Sequence, residues 1–341
     1  MNPALKTQIL AAGEAAVAAA ARVLADGGLV AFPTETVYGL GADAANPAAI
    51  ARLYQAKGRP AFNPLIAHVG DLAAARKIAR FDADAEKLAK RFWPGPLTLV
   101  LPKTEDCTVA DLATAGLDTV AVRVPAHPVA RDILRAFGGP VVAPSANLSG
   151  HVSPTTAAHV EHDLAGLIDL IVDGGSVAVG VESTIVGCLA QPMLLRPGGV
   201  PREDIERVLG HALAQPPQEA AGDDAQPLAP GMLASHYAPR TPTELVETIA
   251  LARRLREAAA AGTRVAVLAR RAQADLPDFA WREAPNDPAG YGHELYARLR
   301  ELDGNHADLI LVESPHAASD WEAVRDRLAR AAAGGDDADE T

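Results

Sequence analysis

LVAFPTETVYGLG, which runs from Leu29 to Gly41, begins as an apolar strand and continues as a polar loop. The run from Leu29 to Phe32 predicts a buried strand, and Pro33 ends it because proline has no N–H for the strand ladder. Gly39 and Gly41 allow either a positive φ or a close approach to a ligand. Hydroxyls, a carboxylate and two glycines after a strand indicate a site at the strand's end, although a plain polar turn fits equally well.

The 341-residue chain is long enough for two domains. Its content of 49% hydrophobic and 22% charged residues is typical of a soluble globular protein. The formal net charge of -12 argues against a broad nucleic-acid-binding face. Cys107 and Cys188 form no CxxC pair, which fits a reducing compartment and offers neither a disulfide framework nor a zinc site. Without a signal-type segment or an apolar run of about 18 residues, we expect a cytoplasmic protein that does not enter a membrane.

Helices and strands alternate in the first part of the chain. The predicted helices are about 15–26, 47–57, two opened by Asp71 and Asp82, 128–137, one starting at Ser153, and 201–209. The predicted strands are 29–32, 65–69, 97–101, 119–124, 141–142, 168–172, 184–188 and 193–196. This alternation predicts an α/β sheet domain over residues 1–210.

The composition changes near Gln215, where QPPQEAAGDDAQ has no periodicity and no core-forming residues. We interpret 211–242 as a linker. A small α/β domain is predicted for 243–333, with helices at about 249–260, 288–302 and 320–332 and strands at 265–269 and 309–312. Residues 334–341 form an acidic tail, which we expect to be disordered.

Several common catalytic motifs are absent from the sequence. It contains no GxxxxGK[ST], no GxGxxG that opens a helix after a strand, no GxSxG and no HExxH. A P-loop is thereby excluded, and the usual dinucleotide fingerprint is absent. The ten histidines are scattered, which argues weakly against an imidazole metal site.

Basic residues stand at two places where a ligand could bind. Lys57 and Arg59 follow a predicted helix and either complement its dipole or contact phosphate. Arg123 lies in an apolar strand, on the face of Ala121 and opposite Val122. Such an arginine must be paired or line a cavity unless its face meets solvent, and a carboxylate ligand is the sharper interpretation.

Hydroxyl-rich loops follow several strands. Their sequences are APSANLSG, with Ser145, and VESTIVG, with Ser183, while LRPGG places Arg196 at a strand end. Each loop alone is more often just a turn. Converging on one sheet edge, they would form a basic, hydroxyl-lined pocket suited to anions.

Six strings in order resemble those of the YrdC-like proteins. They are PTETVYGLG, KGRP with NPLIAH, WPGPLT, AVRVP, APSAN, and STIV followed by LRPG. The resemblance covers about 15–205, and SHYAP with the second domain resembles the two-domain branch, the threonylcarbamoyl-AMP synthases. It implies a twisted, mostly parallel α/β sheet with a concave cavity, and a small Rossmann-like α/β C-terminal domain. It also implies that L-threonine, bicarbonate and ATP give threonylcarbamoyl-AMP and pyrophosphate, and that a separate complex transfers the threonylcarbamoyl group to an adenosine of tRNA.

The resemblance also implies site residues. The positions implied to hold threonine are Thr36, His68, Arg123, Ala143 and Ser183. The positions implied around ATP are Lys57, Arg59, Asn63, Thr119, Ser145, Ser153, Arg196 and Tyr237. No residue is assigned a certain catalytic role; Lys57 and Arg59 would stabilise phosphate charge, and Mg²⁺ would accompany ATP without a protein cage. His68 could be a base or only position threonine, and Tyr237 could be part of a lid over the nucleotide or a hinge anchor on the second domain.

Two other functions remain open. An RNA- or nucleotide-binding module would use the same basic pocket, but the net charge and the 4% aromatic content count against it. A carbamoyl-transfer module of hydrogenase maturation shares the YrdC-like sheet. Chains of that kind also carry acylphosphatase and zinc-finger segments, which are absent here.

Overall fold

A computed structural model describes residues 5–214, 237–272 and 279–333. These residues form two compact units. The first unit contains 5–149 and 154–214, and the second contains 150–153 and the described residues from 237 onward. Most of the predicted linker, from 215 to 236, and the predicted acidic tail lie outside the described residues.

The first unit follows the predicted alternation of helices and strands. Its strands are β1 (Gln8–Ala11), β2 (Val30–Pro33), β3 (Tyr38–Asp43), β4 (Ile66–His68), β5 (Leu97–Pro102), β6 (Thr119–Arg123), β7 (Val141–Val142), β8 (Leu170–Asp173), β9 (Thr184–Gly187) and β10 (Met193–Arg196). Its helices are α1 (Glu14–Ala25), α2 (Pro47–Lys57), α3 (Leu72–Ile78), α4 (Ala83–Phe92), α5 (Asp111–Thr114), α6 (Pro128–Phe137), α7 (Ala157–Leu164) and α8 (Arg202–Leu209). Strands β1 and β3 and helix α5 were not predicted. The helix expected at Ser153 begins later, after Thr156, whose side chain accepts a hydrogen bond from the backbone N–H of His159.

One sheet holds all ten of these strands, in the order β1-β8-β2-β3-β7-β4-β6-β5-β9-β10. The pairs β1/β8, β2/β8, β4/β6 and β5/β9 are parallel, and the other neighbouring pairs are antiparallel. The predicted α/β class is confirmed, but this sheet is mixed rather than mostly parallel. One reason is the connection from β2 to β3: residues 34–37 are too few for a crossover helix, so β3 returns antiparallel to β2.

The two faces of this sheet differ around β4, β5, β6 and β9. On one face, Val120, Val122 and Val124 join the main apolar core under α2, α3 and α4, as the period-two pattern predicted. On the other face, Ile66, Ala121 and Ile185 form a small separate cluster. We call this second face the site face, because the predicted binding residues His68, Thr119 and Arg123 lie along it.

Gly39 and Gly41 lie inside β3 with extended backbone rather than at positive φ. A Cβ on Gly41 would lie 2.7 Å from Cε1 of Phe32, and one on Gly39 would lie 3.2 Å from Cβ of Ala143. These glycines therefore allow close packing of neighbouring strands.

The second unit contains a small parallel sheet. Its strands are β11 (Thr243–Val246), β12 (Val265–Ala269), β13 (Ala280–Glu283) and β14 (Leu309–Glu313), and its helices are α9 (Leu251–Ala260), α10 (Pro288–Asp303) and α11 (Glu322–Ala333). The order is β11-β14-β12-β13, and every neighbouring pair is parallel. The predicted small α/β domain is confirmed, with β11 and β13 as strands that were not predicted. In neither unit does a described helix have the length and apolar character needed to cross a membrane.

Candidate active site

A buried ion pair joins the loop after β2 to the end of β6. Oε1 of Glu35 lies 2.7 Å from Nη2 of Arg123, and their side chains are 11% and 5% exposed. The backbone N–H of Ala126 donates to Oε2 of Glu35 at 3.0 Å, and Nε of Arg123 donates to the carbonyl of Gly95 at 3.4 Å. Arg123 is therefore paired rather than solvent-facing, and sequence reasoning missed Glu35 as its partner.

Both members of this pair carry their charge. Burial raises the pKa of Glu35, but the Arg123 guanidinium and the hydrogen bonds to the carboxylate outweigh burial, and the net pKa lies below its ordinary value. The pair thus holds a guanidinium in a fixed place inside the first unit. Nη2 forms the ion pair and Nε donates to the Gly95 carbonyl, so Nη1 is left to donate to a further acceptor.

His68 lies beside Arg123 on the site face, because the two residues are register partners in β4 and β6. Burial, and after it the charge of Arg123, lowers the pKa of His68 to about 3. Nδ1 of His68 lies 3.2 Å from the carbonyl of Ile66, so the proton of the neutral ring sits on Nδ1 and Nε2 can accept a hydrogen bond. A group with so low a pKa is a poor proton acceptor at neutral pH, which favours positioning over general-base catalysis.

Two pairs of buried hydroxyls also lie in the first unit. Oγ1 of Thr36 lies 2.8 Å from Oγ1 of Thr34, and Oγ of Ser183 lies 2.8 Å from Oγ1 of Thr98. Arg196 then contacts Ser183: its Nε and Nη2 donate to the Ser183 carbonyl at 3.2 and 3.0 Å. The structure thus brings together one residue predicted for threonine and one predicted for ATP.

Lys57 supports the loop after β7. Its Nζ donates to the carbonyl of Ser145 at 2.7 Å and to the carbonyl of Asn147. The side chain is buried, and burial together with the charge of Arg59 holds its pKa well below the ordinary value. Direct phosphate contact by Lys57 stays a prediction, since its donors in this structure shape the loop that carries Ser145.

Arg59 is buried close to Asn63, another residue predicted for ATP. Its Nη2 donates to the Pro64 carbonyl at 3.2 Å and lies 3.5 Å from the Asn63 carbonyl. Oδ1 of Asn63 is buried without a hydrogen-bond partner among the described residues. An acceptor left in this state suits a ligand that donates a hydrogen bond.

Thr119 and Ala143 also lie on the site face or at its edge. Thr119 begins β6 and Arg123 ends it, so the predicted nucleotide and threonine positions on this strand are about 13 Å apart. Ala143 follows β7, and its N–H donates to the carbonyl of Ile66 at 3.1 Å. This separation along one strand allows two substrates to lie end to end.

Tyr237 and Ser153, both predicted near ATP, group with the second unit. The Tyr237 ring stacks on Tyr296 at 5.8 Å, and the guanidinium of Arg327 lies 4.9 Å from its centroid. Tyr237 is 1% exposed, which matches the hinge-anchor alternative. Its contact with nucleotide stays a prediction, and the neighbouring His236 lies outside the described residues.

Metal-binding side chains do not cluster in the part of the chain that the structure describes: it contains no group of three or more His, Cys, Asp or Glu able to hold an ion.

Two family profiles match the chain. The profile described as "Telomere recombination" matches residues 22–198. The profile described as "Threonylcarbamoyl-AMP synthase, C-terminal domain" matches residues 200–333. The two matches together span both units.

Relatives of nearly the same length carry one name. Proteins called threonylcarbamoyl-AMP synthase from Bacillus subtilis and Pyrococcus abyssi are 42% identical over 337 residues and 43% identical over 320 residues. The first alignment covers 96% of each chain and the second covers 92% of each. A crystal structure of P. abyssi Sua5 complexed with L-threonine matches with a TM-score of 0.88 at 40% identity, covering 96% of this chain and 98% of the other.

Proposed function

The chain belongs to the threonylcarbamoyl-AMP synthase family, and from that premise we propose that it makes L-threonylcarbamoyl-AMP and pyrophosphate from L-threonine, bicarbonate and ATP. The full-length relatives of that name and the solved relative that binds L-threonine support the proposal. The observation in this chain that carries it is the buried Arg123, which lies beside a neutral His68 and keeps Nη1 for a carboxylate.

The proposed reaction has two steps. The threonine nitrogen attacks the carbon of bicarbonate, and loss of water leaves a carbamate. A carbamate oxygen then attacks the α-phosphorus of ATP, and pyrophosphate leaves. Because both steps join separate reactants, correct placement supplies much of the rate enhancement.

Threonine would bind at the carboxyl end of β6. Its carboxylate pairs with Arg123, which Glu35 holds in place, and Nε2 of His68 can accept a hydrogen bond from a donor group of the amino acid. The hydroxyls of Thr36 and Ser183 are the polar groups offered to the rest of the amino acid. The backbone of Ala143 completes this proposed subsite.

ATP would bind along the loops that carry the other predicted residues. Arg59 and Arg196 are the cations that would balance the charge developing on the phosphates, and Lys57 shapes the loop of Ser145. Thr119 and Asn63 are the remaining polar residues of this proposed subsite in the first unit. Mg²⁺ would enter on the phosphates of ATP, because the described residues include no group of side chains able to hold it alone.

The product is a reactive mixed anhydride, so an enzyme that consumes it must transfer the threonylcarbamoyl group to an acceptor. We expect that acceptor to be an adenosine of tRNA, acted on by a separate complex. The cytoplasm is the proposed compartment, in keeping with the free thiols of Cys107 and Cys188.

Mass spectrometry of products from ATP, bicarbonate and a panel of amino acids tests the proposal. We expect threonylcarbamoyl-AMP and pyrophosphate only when threonine and bicarbonate are both present. Release of orthophosphate, or equal turnover with serine or alanine, would contradict the adenylate mechanism. Tight RNA binding without ATP would favour the RNA-binding alternative, and transfer from carbamoyl phosphate would favour the carbamoyl-transfer alternative.

A further inference from the structure

The carboxyl ends of the parallel strands β12 and β14 lie side by side in the second unit. The chain leaves β12 toward β13 on one side, whereas it leaves β14 toward α11, which packs against β11 on the other side. The two connections thus diverge from adjacent parallel strands. Open α/β sheets bind ligands at such switch points, outside the carboxyl ends of the strands.

Glu313, the last residue of β14, organises a polar cluster at this end of the sheet. Its Oε1 accepts from Oγ1 of Thr248 at 2.7 Å and lies 3.3 Å from Nη2 of Arg271. Its Oε2 accepts from the backbone N–H of Arg270 at 2.8 Å, and Nη2 of Arg270 lies 3.4 Å from Oε1. We call Thr248, Arg270, Arg271, Tyr291 and Glu313 the Glu313 cluster.

The Glu313 cluster contains more positive than negative charge. The guanidiniums of Arg270 and Arg271 share the single carboxylate, so one positive charge has no counterpart within the cluster. Glu247 and Glu283 stand at the ends of neighbouring strands but are exposed, and water and salt screen such carboxylates. The charges of the Glu313 cluster therefore favour binding of an anion.

Two buried donors in this cluster have no acceptor among the described residues: Nε of Arg270 and the hydroxyl of Tyr291. Tyr291 is 1% exposed, and its ring meets Trp321 edge-on at 5.5 Å, which fixes the phenol in place. Burial raises the pKa of Tyr291, with smaller effects from the charges of Arg270 and Glu313, so the hydroxyl stays protonated and able to donate. Leaving such a donor unsatisfied destabilises the folded state, and a bound acceptor would remove that penalty.

We propose that the Glu313 cluster binds a phosphate group, whose oxygens accept from Tyr291 and from Nε of Arg270 while Arg271 balances its charge. Phosphate suits the arrangement because it presents acceptors in several directions and pairs well with guanidinium. The side chain of Arg271 is 49% exposed, so it can be reached from solvent. The group could be inorganic phosphate or the phosphate of a nucleotide, and this site does not depend on the proposed reaction of the first unit.

Calorimetric titration of inorganic phosphate into the full chain, at constant ionic strength, tests the proposal. Tyr291→Phe keeps the ring and removes the donor, and Arg271→Ala removes a half-exposed cation. We expect each to weaken binding at least tenfold. Arg264→Ala is the matched control, because Arg264 precedes the amino end of β12 and its side chain is 66% exposed; its phosphate affinity should equal that of the unmodified chain.

The first unit also carries residues predicted to meet phosphates, so Arg196→Ala serves as a second background. Binding that survives Arg196→Ala and disappears when Tyr291→Phe is added belongs to the Glu313 cluster. In that background, tighter binding of AMP than of phosphate would identify a nucleotide as the source, and the reverse would identify free phosphate. The proposal is overturned if the unmodified chain binds no phosphate at millimolar concentration, if Tyr291→Phe and Arg271→Ala bind as it does, or if Arg196→Ala alone abolishes binding.

Thermal unfolding tests phosphate binding by the Glu313 cluster independently of calorimetry. Without phosphate, Tyr291→Phe should be at least as stable as the unmodified chain, because it lacks an unsatisfied hydroxyl. Phosphate should then stabilise the unmodified chain more than the variant; equal stabilisation of both would also overturn the proposal. Intact threonylcarbamoyl-AMP formation in either variant leaves the proposed function standing whatever the phosphate result.

Discussion

Glu35 and Arg123 approach within 2.7 Å in the interior of the first unit, although 87 residues of sequence separate them. The carboxylate engages one terminal nitrogen of the guanidinium and is itself held by the backbone N–H of Ala126. An amino-acid carboxylate arriving at Arg123 would therefore meet a guanidinium whose position is already set. Such preorganisation lowers the entropic cost of binding.

Replacing Arg123 tests its role in substrate binding. We expect Arg123→Ala to lose threonine affinity by about 2–5 kcal/mol while ATP affinity changes little, because a desolvated charge-assisted contact disappears. Calorimetry with threonine and with ATP measures both. Arg76→Ala is the control, since that side chain is half exposed and pairs with Glu86 at the surface. Unchanged threonine affinity in Arg123→Ala would assign the guanidinium to the nucleotide or to folding alone.

Removing the charge of Glu35 should cost stability. Glu35→Gln leaves Arg123 buried without its counter-charge, and breaking a buried pair on one side costs about 3–5 kcal/mol. Urea unfolding measures the loss. The double variant Glu35→Gln with Arg123→Met should recover part of it, since no unpaired charge remains. Equal losses in the single and double variants would show that the pair does not act as a unit.

The buried imidazole of His68 predicts a pH dependence of stability. Its pKa is about 3 in the folded chain and about 6.5 when unfolded, so the unfolded state takes up a proton first as pH falls. Stability from this group is complete above pH 6.5 and declines by about 1.4 kcal/mol per pH unit below it, until the folded pKa is reached. Urea unfolding between pH 7 and pH 4 should show a shallower decline for His68→Gln than for the unmodified chain. Parallel curves would mean that His68 titrates near its ordinary pKa.

Gly41 is predicted to tolerate no side chain. A Cβ there would lie 2.7 Å from the Phe32 ring and 3.2 Å from the Val30 carbonyl. We expect Gly41→Ala to destabilise the chain by about 1–3 kcal/mol through overpacking. Gly13→Ala is the matched control, because Gly13 has extended backbone and open space around its Cα. Equal melting temperatures for the two variants would contradict this packing.

Variants of Tyr237 distinguish its two predicted roles, as a hinge anchor on the second unit or as part of a lid over the nucleotide. As an anchor in the second unit, Tyr237→Ala should lose roughly 3–5 kcal/mol of stability, whereas Tyr237→Phe keeps the stacking on Tyr296 and should lose far less. Urea unfolding followed by tryptophan fluorescence measures this, with Trp281 and Trp321 reporting on the second unit and Trp93 on the first. If Tyr237→Ala keeps its stability but loses adenylate formation, the residue acts on the nucleotide instead.

Much of the fold could be predicted because local chemistry marks it. Asn46 before Pro47 predicted the start of α2. In the structure the Asn46 side chain accepts hydrogen bonds from the backbone N–H groups of Ala48 and Ala49. Strand β3 was missed since its two glycines carry no side chains with strand preference. Its stability comes from close approach to Phe32 and Ala143, which the linear sequence does not display.

The residue types of the candidate site could be predicted from the sequence, but the contacts between these residues could not. Alternation along β6 placed Arg123 on the face of Ala121 but left open whether that face meets solvent, and its partner Glu35 comes from a distant loop that only the sheet order brings near. Likewise, Lys57 was predicted either to complement a helix dipole or to contact phosphate, but only the structure shows its Nζ directed at two loop carbonyls. The Glu313 cluster had no motif at all, because its members come from four separate segments of the second unit.

The segment Gly150–Ser153 belongs to the second unit, while Ser149 before it and Pro154 after it belong to the first. Its carbonyls at Gly150 and Val152 accept from the backbone of Ala238 and from Arg300. Along the gene, the two units are thus interleaved rather than joined end to end. Exchanging second units between homologous genes therefore requires two crossover sites, one around codons 150–153 and one in the linker. A single crossover in the linker would combine the second unit of one parent with residues 150–153 of the other.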